Sequence, residues 1–159
     1  MSNPQTYRII SASDTGKSID LYGNVAEEGQ AMNIWANDPN SPAQRWVIKK
    51  HVKGGYTIQA GTSYGFFQAA TQGQGQAVVF TKTAWLWNMK HVSDDEYRCG
   101  GLATSNMEAD VLYLARLETE DGEYALTVRS DSNDGLMLDN IQETLDRQRW
   151  KFNPPLPEE

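Results

Sequence analysis

Apolar and polar positions alternate along short runs of this chain. In Ser18-Ile19-Asp20-Leu21 and Met32-Asn33-Ile34-Trp35, Ile19 and Leu21 are separated by a carboxylate, and Met32 and Ile34 by an amide. Successive side chains of a strand point to opposite faces, so a period of two predicts strands with one buried face. Runs rich in Val, Ile, Tyr, Phe, Trp and Thr are broken by clusters of Ser, Asn, Asp and Gly. Breakers spaced by about 8–12 residues predict an all-β sandwich or barrel. Strands are expected over residues 6–11, 18–21, 31–36, 45–51, 56–60, 66–70, 77–81, 85–92, 97–100, 110–116, 124–129, 136–139 and 149–152. No segment sustains a helical period; the best helix candidate, residues 141–147, is short enough to be a turn. The tail 153–159 carries three prolines, which remove strand donors, and is expected to be a loose end.

The chain repeats itself. Gly29-Gln30-Ala31-Met32 is matched by Gly75-Gln76-Ala77-Val78, and Gln44-Arg45-Trp46 by Gln148-Arg149-Trp150. Trp46 is followed ten residues later by Tyr56, and Trp87 ten residues later by Tyr97. Tyr7-Arg8-Ile9, Tyr56-Thr57-Ile58 and Tyr97-Arg98-Cys99 each open a unit that closes on a Trp. Three such units fill the chain.

This pattern resembles the ricin B-type β-trefoil family, in which three four-stranded units each close with a Gln-x-Trp element. The Tyr-x-Ile opening and the Ser-Ile-Asp-Leu second strand look most like the small β-trefoil lectins of mushroom fruiting bodies. The resemblance implies one β-trefoil domain over residues 1–152, with repeats at about 6–52, 53–93 and 94–152, and the Pro-rich tail 153–159 outside it. The third unit is longer: Tyr97 to Trp150 is 53 residues, against 39 from Tyr7 to Trp46. Either an extra hairpin within residues 110–129, turning at Glu120-Asp121-Gly122, absorbs the difference, or the unit is phased differently from this reading.

Strand periodicity also places candidate chemistry. With Ile19, Leu21, Met32 and Ile34 pointing inward, Asp20, Asn33 and Trp35 share one outward face. An exposed indole offers a flat apolar platform to the C–H face of a sugar. A carboxylate accepts from two neighbouring hydroxyls at once, and an Asn amide supplies a donor and an acceptor beside it. By resemblance, Asp20, Asn33 and Trp35 match the galactose-site positions of ricin B-type lectins. The Asn that the family often places before Gln-x-Trp is Ala43 here. Asn37, Asp38 or Asn40 would substitute for it, and Gly23 and Asn24 follow the second strand at the edge of the expected site. In the second unit, Val79 and Thr81 stand at the Asn33 and Trp35 places, and Phe67 or Gln68 at the Asp20 place. Asp139 and Tyr113 are available in the third unit but are not phased by the sequence. One working site, in the first unit, is therefore expected.

Composition narrows the function classes. The chain has 159 residues with a formal net charge of -7, so duplex nucleic acid and anionic membranes are repelled on average. Mean hydropathy is -0.61 and no apolar run reaches transmembrane length, so membrane insertion is not expected. Residues 1–7 are polar and lack an apolar signal-peptide core, and the single Cys99 suits a reducing compartment; a cytoplasmic location is expected. His51 and His91 each sit in Lys-His-Val and read as repeat features, and no His/Cys metal spacing occurs. Asp131-Ser-Asn133-Asp-Gly135 is similar to a calcium loop but carries Gly135 where a ligand is needed and Gln142 where the bidentate Glu belongs. No phosphate loop, dinucleotide fingerprint or nucleophile elbow occurs, so neither enzyme activity nor a cofactor is expected.

The sequence thus leads to a lectin for glycans of glycoproteins or glycolipids, with terminal galactose or N-acetylgalactosamine implied by the resemblance, and with it a role in fungal defence. A homodimer would supply the multivalency that one shallow site lacks. The alternative on the same fold is a protease inhibitor. The loop at 22–29 has no Lys or Arg for trypsin, but Asn24 would address an Asn-specific protease, and other loops a cysteine protease.

Overall fold

The computed structural model describes residues 5–21, 27–61, 66–69, 74–92, 114–129, 135–142, 145–154 and 156. Twelve strands are seen among them: β1 (Arg8–Ser11), β2 (Lys17–Leu21), β3 (Met32–Ala36), β4 (Trp46–Lys50), β5 (Tyr56–Ala60), β6 (Phe66–Ala69), β7 (Val78–Thr81), β8 (Asn88–His91), β9 (Leu114–Glu118), β10 (Tyr124–Val128), β11 (Leu136–Asn140) and β12 (Trp150–Asn153). Six of them form a ring. β4 pairs with β5, β8 with β9, β9 with β12 and β12 with β1, and the bridges Tyr7 to Trp46 and Tyr56 to Trp87 join the remaining neighbours. The other six form three hairpins, β2–β3, β6–β7 and β10–β11. These hairpins touch one another in a triangle through the bridges Ala31 to Val79, Ala77 to Met137 and Asn33 to Gly135. The fold is a β-trefoil of three four-stranded units.

Each repeated motif has a structural cause. Trp46, Trp87 and Trp150 are fully buried. Their indole Nε1 groups donate to the backbone carbonyls of Ile19, Phe67 and Leu126, at 3.1, 3.1 and 3.2 Å. Each closing Trp thus ties its unit's fourth strand to its second, and its buried N–H is satisfied. Burying a side chain of about 200 Å² is worth about 5 kcal/mol before entropy. Phe67 stacks on Trp87 at 5.3 Å and tilts against Trp46 at 5.5 Å, joining two units in the core. The repeated Gly-Gln-Ala builds the triangle: Gly29 N donates to Phe80 O and Gly75 N to Leu138 O. Both glycines adopt left-handed backbone, at φ 86° and 76°, which an L side chain adopts at a cost.

The structure corrects the phasing of the third unit. Tyr7 and Tyr56 lie opposite Trp46 and Trp87, but the residue opposite Trp150 is Ala115. β9 therefore takes the opening place that the sequence gives to a strand at 97–100, and that expected strand, with Tyr97 and Cys99, lies outside the described residues. The turn at Glu120–Gly122 exists, but it joins β9 to β10, the first two strands of the unit. The expected strand at 85–92 begins only at Asn88, and of the 141–147 candidate the described residues show a 3-10 turn at Asp146–Gln148. Of the tail, Leu156 packs against the core.

Candidate functional site

The β2–β3 hairpin carries the predicted trio. Ile19, Leu21, Met32 and Ile34 are buried in the core as their alternation requires. On the opposite face the register sets Asp20 directly across from Asn33, and Ser18 across from Trp35. Trp35 is 60% exposed, and it and Val52 are the two exposed large hydrophobics among the described residues. Asn37 is the residue after β3; its N donates to Gly16 O at 2.8 Å and its Nδ2 to Thr15 O at 3.0 Å. Asp38 and Asn40 hold the following turn, where Asn40 N donates to Asp38 Oδ1 at 2.9 Å. Gly23 and Asn24 lie outside the described residues.

One expectation changes. Asp20 shares the face with Trp35, but it is only 9% exposed, and Asn33 is half-buried. The cause is Gln44, which ends a 3-10 turn at Pro42–Gln44 and folds over the hairpin. Ser41 caps that turn, its Oγ accepting from Ala43 N at 3.3 Å. Gln44 Nε2 donates to Asp20 Oδ2 at 3.0 Å and to Ala36 O at 2.8 Å. Gln44 Oε1 accepts from Ser18 Oγ at 3.0 Å and from Asp38 N at 2.9 Å. Four bonds fix this amide, and it in turn fixes one carboxylate oxygen of Asp20. The sequence shows Gln44 as a fold marker, and its second role beside Asp20 is not visible there.

The electrostatics follow from burial. Loss of water around Asp20 raises its carboxyl above the usual range, and the bond from Gln44 partly opposes this. Asn33 Oδ1 and Asn37 Oδ1 are buried and accept no hydrogen bond. A buried unpaired acceptor costs about 1–3 kcal/mol, which a donor supplied by water or a ligand would relieve. The face therefore combines an indole platform, a desolvated carboxylate held by one oxygen, and the Asn33 amide oxygen, which lacks a donor, as does that of Asn37 just past the end of β3. It is suited to a flat, hydroxyl-rich molecule. Among the described residues Asp20 is the one carboxylate on it, and no group of His, Cys, Asp and Glu there could hold a metal ion.

The other units build the same frame with different contents. The registers put Gln68, Val79 and Thr81 at the places of Asp20, Asn33 and Trp35 in the second unit. In the third they are Thr127, Met137 and Asp139. Gln148 repeats Gln44, its Nε2 donating to Thr127 Oγ1 at 3.1 Å and Asn140 O at 2.7 Å. The Trp35 place is also engaged by the chain itself. Glu28, just before Gly29, accepts from Thr81 Oγ1 at 2.6 Å and Lys82 N at 2.8 Å. These two bonds hold the Glu28 carboxyl below its ordinary value, that from Thr81 most of all. Gln74, just before Gly75, donates to Asp139 at 3.2 Å.

Solved structures share this architecture. A ricin B-like lectin of Macrolepiota procera, solved with lactose, superposes with a TM-score of 0.72 over 96% of both chains at 16% identity. The agglutinin of Rhizoctonia solani gives a TM-score of 0.72 over 96% of both at 23% identity. The designed three-fold symmetric protein ThreeFoil gives 0.74 over 92% of this chain and 96% of its own, at 14% identity. No curated protein sequence matches the chain. The profile of the ricin-type β-trefoil lectin domain-like family matches residues 1–81, the span that holds the first unit and its Asp20–Trp35 face. With that profile over half the sequence and the Gln-x-Trp ring built as described, the chain belongs to the ricin-type β-trefoil lectin domain-like family.

Proposed function

We propose that the protein is a carbohydrate-binding lectin that takes a terminal galactose or N-acetylgalactosamine at one site, on the β2–β3 face of its first unit. The carrying observation is Trp35, 60% exposed and set beside a carboxylate that Gln44 holds in place. The indole receives the apolar face of the sugar ring, the free oxygen of Asp20 accepts from its hydroxyls, and Asn33 completes the polar edge. Binding without catalysis is the reading, because hydrolysis of a glycosidic bond needs a second, opposed carboxylate. The lactose in the Macrolepiota structure supports a galactoside as the first ligand to try.

The experiment is a glycan array with the labelled protein beside Asp20→Ala and Trp35→Ala. The expected result is a coherent galactose-terminated set that both variants lose, with folding retained. Array silence from the parent protein refutes the lectin reading; binding that survives both substitutions refutes the site. The Trp35 side chain is largely in water, so Trp35→Ala should leave stability within about 0.5 kcal/mol.

A further inference from the structure

The net charge of -7 conceals a separation. All 21 acidic residues lie outside residues 39–93, while that stretch holds six Lys and Arg and no Asp or Glu. Three of the six, Lys49, Lys50 and Lys53, surround the turn between β4 and β5, and all three are exposed. At the apex is Val52, 96% exposed. The turn is tightly bonded. His51 N donates to Gly55 O and Gly54 N to His51 O, both at 2.9 Å, and Lys53 N donates to His51 Nδ1 at 3.1 Å. Gly54 and Gly55 take φ of 95° and 75°, and a Cβ at Gly55 would meet Trp87 O at 3.2 Å. Gly55 therefore presses the hairpin against the start of β8, the strand that carries the exposed Lys90.

We propose that the β4–β5 hairpin is a docking element for an anionic lipid surface. Lysines near such a surface gain affinity from its phosphates and carboxylates, and an apolar residue standing beyond them can enter the headgroup boundary. A soluble polyanion would use the lysines but has no use for an apolar apex, so Val52 selects the bilayer. An acidic turn at Glu120–Gly122 is tied to this region, since Asn88 Nδ2 donates to Thr119 O and Glu120 O at 3.4 and 3.2 Å, and screening at physiological salt limits the reach of its charges to about 8 Å. The bond network of the turn presents Val52 without an ordering cost on contact. The hairpin shares no strand with the sugar face, and the proposal does not depend on that face.

The test is co-sedimentation of the whole protein with phosphatidylcholine vesicles, with and without about a third phosphatidylserine, at low and physiological salt. Preference for the phosphatidylserine vesicles is expected, weakening with salt and indifferent to added lactose and to Trp35→Ala. Each lysine is worth about fivefold, so Lys49→Gln/Lys53→Gln should lose about 25-fold in partitioning. Val52→Asp should lose at least about fivefold and keep the parent circular dichroism spectrum. Equal binding to both vesicle types, no binding, or lysine variants that bind like the parent would overturn the proposal. Val52→Asp binding like the parent while the lysine pair fails would also overturn it, in favour of a soluble polyanion, with heparin retention as the check.

Discussion

Gln44 and Gln148 do the same job in two units, with one difference that can be measured. Each is fully buried, and each sends its amide across the second and third strands of its hairpin. Gln44 makes three neutral bonds and one to the Asp20 carboxylate. At about 1 kcal/mol for each neutral bond and about 2 for the charged one, Gln44→Ala should cost about 5 kcal/mol. Gln148 makes three neutral bonds, to Thr127, Asn140 and Gln142, so Gln148→Ala should cost about 3 kcal/mol. Both fall within the stability of a domain of this size, about 5–15 kcal/mol, so urea unfolding should resolve them. The functional outcomes should diverge. Without Gln44, Asp20 loses the donor that orients it, and lactose affinity should fall at least tenfold at a temperature where the variant is folded. Gln148→Ala should bind as the parent does. Gln44→Glu keeps the volume, places a second carboxylate beside Asp20, and should also lose binding, most strongly at neutral pH. Unchanged affinity in Gln44→Ala, or an equal loss in Gln148→Ala, would refute the positioning role.

Two further outcomes follow from the geometry. Asp20 has a raised carboxyl in the folded state, so its ionisation costs stability above that value, and the cost disappears as pH falls through it. Glycan affinity should move the opposite way, weakening as the same carboxylate is protonated, and Asp20→Asn should flatten both profiles when Kd and urea midpoints are followed from neutral pH downward. At Gly29 and Gly75 a Cβ would meet nothing within 4 Å, so only the left-handed backbone opposes Ala there; each substitution should lower the unfolding free energy by about 1–2 kcal/mol, and a neutral result would argue that the triangle of hairpins relaxes.

Much of this was legible in the sequence because the period of two is strict where one face is buried. Ile19, Leu21, Met32 and Ile34 fixed the register of β2 and β3, and hence the pairing of Asp20 with Asn33. The Gly-Gln-Ala match likewise placed Val79 and Thr81 correctly. What escaped is what local pattern does not encode. The depth of Asp20 depends on Gln44, 24 residues away, closing over it. The start of the third unit was misplaced because an aromatic spacing from Trp87 to Tyr97 stood in for the barrel position that Ala115 holds opposite Trp150. A small residue at that place leaves no signal. The charge separation is present in the sequence, but the net charge averages it away, and the exposure of Val52 is seen only in the structure.

The contacts of Glu28 with Thr81 and of Gln74 with Asp139 bear on how valency can be added to this scaffold. Among the described residues, the outer faces of the second and third units are each partly furnished by the loop of the unit before. Grafting an indole at position 81 would not by itself make a second sugar site, since the Glu28 carboxylate occupies the approach and would lose its hydroxyl donor. An engineer, or natural selection, must change two units at once, so copies of a site do not arise independently around the threefold. The asymmetry of the molecule is in this sense cooperative: a vacant face in one unit is a property of its predecessor as much as of itself.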